Sequence, residues 1–240
     1  MSGQIAAAES AEPPGLPGSV PNVWPLFDLT VRTPRLELRY ATDELLQALT
    51  AFHSEGVIPP GTEPFDGDAS FYDESPAAER KYLLGEWGAR AKTSPEWWHM
   101  SFAVIVDGQP VGQQGVTGVD FVRLRTVNSF SFVGLRHQGH GIGKEMRAAA
   151  LHLAFEGLGA LRAESDAFDD NPASQAVSRA LGYQPNGTML APRPSGASTM
   201  SRFLLTRENW EATGRRDDIE VVGLEPCLAV LGLAPPPPSP

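Results

Sequence analysis

The sequence predicts a mixed β-sheet with helices packed on its faces, which is the α/β class. Strand-like segments dominate the first half of the chain, and a strand–helix–strand–helix run follows them. Residues 35–40 alternate apolar and polar side chains, as in a strand with one buried face. Residues 141–157 carry apolar side chains three to four positions apart, as in a helix that buries one stripe. With 240 residues, the chain is long enough to bury a full core.

Local signals place the other elements along the chain. Thr42 or Asp43 caps a first helix, and residues 55–76 are rich in Gly and Pro, which predicts a long loop. Asp107 and Gly108 form the turn of a predicted hairpin. Helices are further predicted at 77–92 and 171–182, and strands at 102–106, from 111, at 126–134, 161–168, 183–190 and 199–206.

The two ends of the chain differ from the rest in composition. Residues 1–22 are rich in Ala, Pro, Gly and Ser, which predicts a disordered extension, and residues 234–240 predict a disordered Pro-rich tail. Residues 23–233 then form the folded domain. No segment reaches the roughly 20 apolar residues that a membrane span needs, and the first residues do not resemble a secretory signal. We therefore expect a cytoplasmic location and no membrane partner.

Charge and cysteine content exclude several classes of protein. The formal net charge of −10 repels nucleic acid phosphates, so we expect no nucleic acid partner. The single cysteine, Cys227, excludes an internal disulfide and a cysteine zinc cluster. We expect no metal cofactor.

A glycine run lies between a predicted strand and the clearest predicted helix. Gly139, Gly141 and Gly143 let the backbone turn sharply and let a ligand approach its N–H groups. Free amides at a helix start suit a phosphate or pyrophosphate, and Lys144 adds a cation. The spacing matches neither a Rossmann site nor a P-loop. The alternative is that these glycines merely permit a tight entry into the helix.

Three segments together resemble the GNAT (GCN5-related N-acetyltransferase) superfamily. Gln138-x-x-Gly141-x-Gly143 is similar to its acyl-CoA signature, and residues 170–183 (DNPASQAVSRALGY) and 33–39 (TPRLELR) resemble its RimJ/RimL-like branch. The resemblance covers about residues 31–212. It implies a mostly antiparallel central sheet of about seven strands flanked by about four helices, with splayed strands that form the acyl-CoA cleft.

The resemblance also implies roles for individual residues. The strand backbone would pair with the pantetheine arm and the loop amides would hold the pyrophosphate. Ser174 would hydrogen-bond or protonate the leaving thiolate as general acid. In the alternative, Asn171 caps a helix and Ser174 bonds within its first turn. The implied binding residues are Phe132, Val133, Gln138, Gly139, His140, Gly141, Ile142, Gly143, Lys144, Asn171 and Ser174.

The general base is a carboxylate at a strand end in this interpretation. Asp120 is the first candidate, because the resemblance places that strand end on the acceptor side. Glu164 and Asp166 on a later strand are alternatives. Any one of these carboxylates, taken alone, is more typical of a solvated surface.

The acceptor pocket is expected between the first helices, their connecting loop and the last hairpin. Its candidate lining is acidic and aromatic, which suits a cationic acceptor, although Trp97 and Trp98 are equally suited to packing under the loop. The candidates are Glu63, Phe65, Asp66, Asp68, Trp97, Trp98 and His99, and cations for an acidic donor are available at Arg123, Arg125 and Arg193.

These features predict an acyl-CoA-dependent N-acyltransferase that moves an acetyl or other short acyl group from acetyl-CoA, or another acyl-CoA, to a primary amine. The acceptor is an amine-bearing small molecule or a protein N-terminus. Two alternatives remain open: a donor such as succinyl-CoA or another bulkier acyl-CoA, and a non-catalytic acyl-CoA-binding regulatory protein. The resemblance also allows a homodimer.

Overall fold

The computed structural model describes residues 23–233. The predicted extension 1–22 and the predicted tail 234–240 lie outside the described residues. The predicted fold class is confirmed: helices pack on both faces of one mixed, mostly antiparallel sheet.

The described part of the chain forms a nine-stranded sheet in the order β7-β8-β6-β5-β4-β3-β2-β1-β9. Every neighbouring pair is antiparallel except β5 and β6, which are parallel. The strands are β1 Thr30–Arg32, β2 Glu37–Tyr40, β3 Trp97–Val106, β4 Gln109–Val119, β5 Thr126–Val133, β6 Arg162–Phe168, β7 Gln184–Arg193, β8 Gly196–Thr206 and β9 Glu220–Val222. The two strands beyond the expected seven, β1 and β9, pair with each other at one edge.

All four predicted helices are present, and residues 23–233 contain four further helices of four to seven residues that were not predicted. Thr42 accepts a hydrogen bond from the Leu45 N–H at the start of α1, and the predicted long helix from residue 141 ends its α-helical part at His152 and continues as a π-turn, Leu153–Gly157. The helices are α1 Asp43–Leu49, α2 Phe52–Glu55, α3 Ala77–Ala91, α4 Phe121–Leu124, α5 Ile142–His152, α6 Pro172–Ala180, α7 Arg207–Thr213 and α8 Cys227–Val230, with 3₁₀ turns at Pro25–Asp28, Ser70–Tyr72 and Leu135–His137.

The alternation of side chains along β5 divides the core into two clusters. Val127 and Val133 pack in the cluster that contains the buried side of α5. Phe132 points to the other face, where its ring meets Phe52 and Phe71 at centroid distances of 5.8 and 4.9 Å. Because successive side chains of a strand point to opposite faces, β5 contributes to both clusters and separates them.

The parallel pairing of β5 with β6 is short. It joins Thr126 to Arg162, Val127 to Ala163 and Asn128 to Glu164, and no later residues of the two strands pair. The strands therefore splay apart after Asn128, as the family resemblance implies, and a cleft opens between them.

Gly112 tests how closely β4 and β5 pack beside this cleft. A Cβ atom on Gly112 would lie 2.3 Å from the Phe132 carbonyl oxygen, which belongs to the backbone and cannot swing aside. We expect Gly112→Ala to lower the free energy of unfolding by about 1–3 kcal/mol in urea titrations followed by circular dichroism. Gly85→Ala on α3 is the control, because its Cβ would meet nothing within 4 Å. Equal stability of Gly112→Ala and the wild type would contradict this packing.

Candidate active site

The splay between β5 and β6 opens into a cleft of about 600 Å³. Its walls come from four segments: the second half of β5, the loop before α5 with the first turns of α5, the end of β6 with the start of α6, and part of the loop 57–66. A cleft of this size accommodates a ligand of cofactor dimensions.

The glycine loop forms one end of the cleft. Gly139 and Gly141 have φ angles of 78° and 79°, in the left-handed region that favours glycine. A Cβ atom on Gly139 would meet nothing within 4 Å, so the space beside this backbone is open. Gly141 is the N-cap of α5, and the amides that follow it begin the helix without intrahelical partners. This end of the cleft therefore suits a phosphate group.

Hydrogen bonds from two side chains, Gln138 and Arg35, hold the glycine loop in place. The Gln138 amide donates to the carbonyls of Val57 at 2.9 Å and Val133 at 2.8 Å, and Arg35 donates to the His140 carbonyl at 2.8 Å. Gln138 and Gly139 line the cleft, whereas His140 does not. The Gln138 amide group thus fixes the loop to the end of β5.

The segment 33–39 reaches the start of α5 through one buried carboxylate. Thr33 donates to Glu145 at 2.6 Å, and Arg35 Nε lies 3.4 Å from the same carboxylate. Glu145 belongs to the first turn of α5, so these contacts join the segment 33–39 to the helix that follows the glycine loop. The structure thereby gives this motif a role in positioning the loop.

The remaining predicted loop residues divide by orientation. Gly143 and Lys144 line the cleft, and Lys144 forms no ion pair among residues 23–233. The side chain of Ile142 packs in the core, so only its backbone amide could contribute to the loop. Phe132 and Val133 of β5 both line the cleft.

Both interpretations of the Asn171 and Ser174 pair are compatible with the geometry. Asn171 Oδ1 accepts a hydrogen bond of 3.1 Å from the Ser174 N–H and caps α6. The two residues also line the cleft. The Ser174 hydroxyl forms no hydrogen bond within the described part of the chain, so it is available to a ligand.

The structure does not bring Asp120 to the cleft, and this corrects its expected position. β4 runs antiparallel to β5, so its last residues lie beside the first residues of β5, where β5 and β6 are still paired. Asp120 follows β4 there with a φ of 46° and lies 3.5 Å from Arg123. It is thus at the closed end of the splay.

Asp166 is the carboxylate of β6 that lines the cleft. It follows the last paired residues of β6, where the strands have separated. Burial raises the pKa of the Asp166 carboxyl above its ordinary value, Arg202 at 3.5 Å opposes this shift, and Glu164 adds to it. Glu164 lies 3.3 Å from Arg202 and does not line the cleft.

Only some of the residues expected around the acceptor lie at the cleft. Glu63, Phe65 and Asp66 line the cleft. Asp68, Trp97, Trp98 and His99 do not, and Trp98 is fully buried against Phe121 in the core.

The three candidate cations for an acidic donor are engaged elsewhere. Arg123 and Arg125 lie at the closed end of the splay, the latter 5.7 Å from the Phe121 ring. Arg193 pairs with Asp170 at 2.8 Å and Glu63 at 3.5 Å, and these contacts hold the acceptor-side loop against the β7–β8 hairpin. None of the three presents a free charge to the cleft.

Sequence reasoning missed Arg147, which lies on α5 and lines the cleft. Its guanidinium donates to the hydroxyls of Ser131 on β5, Ser165 on β6 and Ser178 on α6, at 3.1, 3.0 and 3.2 Å. The signal was an arginine directly beside the apolar stripe of a well-predicted helix, next to Met146.

Residues 23–233 contain neither a membrane-spanning helix nor a cluster of metal-binding side chains. No helix in this range is long and apolar enough to cross a bilayer. Within the same residues, no group of three or more His, Cys, Asp or Glu side chains is arranged to hold a metal ion.

A mixed sheet whose parallel strands splay beside a glycine loop at a helix start defines an acyltransferase of the GNAT type. Residues 35–184 match the family model described as "Acetyltransferase (GNAT) domain", which is more than half of the chain. The chain therefore belongs to the GNAT acetyltransferase family. It is an acyl-CoA-dependent N-acyltransferase, with acyl-CoA as co-substrate.

Solved structures with the same fold include acetyltransferases for different acceptors. Mycobacterium smegmatis RimJ in complex with CoA-disulfide has a TM-score of 0.60 at 21% identity, over 77% of this chain and 89% of that chain. A Vibrio cholerae protein assigned as a ribosomal-protein-serine acetyltransferase has a TM-score of 0.55 at 19% identity, over 74% and 97%. A chimera of the Vibrio cholerae spermidine N-acetyltransferase SpeG has 0.58 at 13%, over 74% and 98%. These likenesses concern the fold.

A substitution at Gly143 can test whether the loop binds CoA without disturbing the fold. A Cβ atom there would meet Val177 at 3.9 Å, and the backbone is helical, so the chain accepts a larger residue without strain. We expect Gly143→Val to keep the stability of the fold but to weaken CoA binding about tenfold or more, ~1.4 kcal/mol, in isothermal titration calorimetry. Gly85→Val, on the exposed side of α3, should bind CoA as the wild type does. Unchanged CoA affinity in Gly143→Val would remove the loop from the binding site.

Proposed function

We propose that this enzyme transfers an acetyl or other short acyl group from acyl-CoA to a primary amine by direct attack on the thioester. The observation that carries the proposal is the position of Asp166. It lines the same cleft between the splayed strands as the glycine loop, and burial raises its pKa. One end of the cleft thus suits a phosphate, and one wall carries a candidate base.

The donor would lie along the unpaired edge of β5. The amides of residues 139–144 suit the pyrophosphate, and Lys144 adds a positive charge beside it. Beyond Asn128, the edge of β5 that faces β6 has no strand partner in the described part of the chain. The Val133 carbonyl already accepts from Gln138 at 2.8 Å, and the other backbone groups of Phe132 and Val133 on this edge are available to the amides of a pantetheine arm, because unpaired backbone groups need hydrogen-bond partners.

The acceptor side of the cleft carries an excess of negative charge. Glu63, Asp66, Asp166 and Asp170 line this side, and Arg193 neutralises part of it through Asp170 and Glu63. An acidic wall attracts a cationic amine, since opposite charges steer a ligand toward the site. Protein N-termini and small polyamines both have this charge, so the acceptor class is a cationic primary amine.

The nucleophile is the neutral amine, so a cationic acceptor first loses one proton to solvent and then loses a second proton as the amide forms. The amine nitrogen attacks the thioester carbonyl, the carbon–nitrogen bond forms, and the carbon–sulfur bond breaks with its electron pair on sulfur. Asp166 accepts the proton from the amine, directly or through one water, as general base. Ser174 assists as general acid by donating a hydrogen bond from its hydroxyl to the departing sulfur, and the thiolate afterwards takes up a proton from Asp166 or from solvent.

Thiol release in the presence of an amine panel tests the proposal. The panel should include spermidine, short peptides with free N-termini and their N-acetylated counterparts, with acetyl-CoA as donor. We expect release of CoA with at least one free amine and none with the blocked peptides. Binding of CoA without turnover of any amine would instead favour a regulatory acyl-CoA-binding protein.

Asp166→Asn should separate base catalysis from binding. Removal of the base should lower kcat by about 10²–10³-fold, because a positioned base contributes on that order. CoA affinity should stay unchanged. Asp120→Asn, at the closed end of the splay, is the matched control and should keep wild-type kcat.

The pH dependence of the wild type gives a second measure of the same residue. Because the pKa of Asp166 is raised, its carboxyl becomes protonated at a higher pH than an ordinary aspartate. A protonated base is inactive, so kcat should fall as the pH drops through this raised pKa, and the fall should be absent in Asp166→Asn. A full loss of activity in Asp120→Asn with normal activity in Asp166→Asn would reverse the assignment.

Ser174→Ala should affect turnover more than binding. The Asn171 cap uses the Ser174 backbone N–H and not its hydroxyl, so the substitution leaves the cap of α6 intact. We expect kcat to fall about tenfold or more if the hydroxyl assists the leaving thiolate, with CoA affinity within about twofold of the wild type. Steady-state kinetics and calorimetry measure the two effects, and an unchanged kcat would remove the acid role.

A further inference from the structure

Arg147 is a buried cation that the protein does not neutralise. Its residue is 5% exposed, and it forms no ion pair with any carboxylate of residues 23–233. A guanidinium keeps its charge in proteins, and an unpaired charge in the interior is costly. A bound anion that is not part of the chain would lower this cost.

The protein partners of the guanidinium are neutral hydroxyls, and they do not use all of it. Ser131, Ser165 and Ser178 accept hydrogen bonds from the two terminal nitrogens. The Arg147 Nε atom is buried and has no hydrogen-bond partner in the described part of the chain. The residue also lines the cleft, so its guanidinium lies beside the binding site.

Two other arginines near the cleft form ion pairs with carboxylates of the protein. Arg193 pairs with two carboxylates, Glu63 and Asp170, and Arg202 pairs with Glu164 and Asp166. The absence of a carboxylate beside Arg147 is therefore a local property of the cleft floor among the described residues.

The titratable groups that share the cleft leave Arg147 without a protein counter-ion. The cleft also contains His137, Lys144, Glu63, Asp66, Asp166 and Asp170. Asp166 follows Ser165, which contacts Arg147, so the carboxylate points to the opposite face of the sheet. Tyr183 interacts electrostatically with the guanidinium, but burial raises the pKa of this phenol to about 12, so it is neutral near pH 7.

The position of Arg147 identifies which part of a donor it would meet. Its Cα atom lies about 7.5 Å along α5 from Ile142, and its guanidinium reaches Ser165, which directly follows the last residue of β6 that pairs with β5. The guanidinium is therefore near the closed end of the splay, away from the glycine loop. Its contacts with Ser131 and Ser165 place it below the separating strands. Between its pyrophosphate and its thioester, an acyl-CoA carries no charge. The next anion along the donor is therefore at its reacting end.

Resting on the proposed function, we propose that Arg147 is the counter-cation for the anion at the reacting end of the donor. In every transfer, the electron pair of the broken carbon–sulfur bond forms a CoA thiolate, and Arg147 stabilises it while the amine proton goes to Asp166. A carboxylate at the end of a dicarboxylic acyl chain has the same chemistry and is the second source of such an anion.

Titration of bound CoA tests the thiolate without requiring activity. The ultraviolet absorbance of the thiolate is followed against pH for CoA bound to the wild type, to Arg147→Met and to Arg147→Lys. A cation at this place should lower the pKa of the bound thiol by about one unit or more relative to free CoA. The lowering should vanish in Arg147→Met and persist in Arg147→Lys, which keeps the charge but not the three hydroxyl contacts.

Donor selectivity tests the carboxylate. Succinyl-CoA and butyryl-CoA have acyl chains of equal length and differ in the terminal carboxylate. If a carboxylate is the anion, the wild type should bind succinyl-CoA at least about tenfold more tightly than butyryl-CoA, and Arg147→Met should lose this ratio. If the thiolate alone is the anion, the ratio should be the same in both proteins while the thiol pKa differs.

The wild type alone is sufficient to overturn the inference. Bound CoA with an unshifted thiol pKa, together with no preference for succinyl-CoA, would leave Arg147 as a tie between β5, β6 and α6, whether or not Arg147→Met folds. Loss of the lowered thiol pKa in Arg147→Lys as fully as in Arg147→Met would also contradict a role based on charge. Failure of the wild type to bind CoA at all would instead refute the proposed function.

Discussion

The pairing of β5 with β6 ends after three residue pairs, and every part of the site depends on that early end. In a continuous parallel sheet, the facing edges of these strands would bond to each other and leave no room for a ligand. Here, each strand is held from its other side, β5 by β4 and β6 by β8. The separated edges keep their backbone groups free, and such groups inside a protein need partners. A ligand with amides of its own can supply them.

Side-chain contacts at the mouth and at the floor of the cleft hold β5 and β6 apart. At its mouth, Gln138 bonds to the end of β5, and Arg35 and Glu145 hold the loop and the first turn of α5. At its floor, Arg147 reaches the hydroxyls of both strands, so neither can close on the other without breaking those bonds. Preorganisation of this kind spares a ligand the cost of opening the site. A rigid cleft is also what acyl transfer requires, because the amine and the thioester must meet in one geometry.

Features encoded locally could be predicted, and features set by long-range topology could not. The glycine loop, the Thr42 cap and the Asp107–Gly108 turn each depend on neighbouring residues, and each lies where it was expected. The edge strands β1 and β9 have three residues each, which is too few to show a period, and they depend on pairing between distant segments. Asp120 was misplaced for the same reason: a strand end reveals its side of the sheet only when the direction of its neighbours is known. Arg147 is visible in the sequence as an arginine beside the apolar stripe of α5, but its lack of a carboxylate partner among the described residues is visible only in three dimensions.

The distribution of charge over the two faces of the sheet matches what the proposed reaction must separate. Transfer creates a proton to be removed from the amine and a negative charge on sulfur. The acceptor face carries carboxylates, and the face below the splay carries Arg147, so each product charge would meet its opposite. Two charges held on opposite sides of a strand recombine less readily than two in one pocket, where Asp166 and Arg147 would neutralise each other as an ion pair. The alternation of Ser165 and Asp166 along β6 keeps them apart, because adjacent strand residues point to opposite faces.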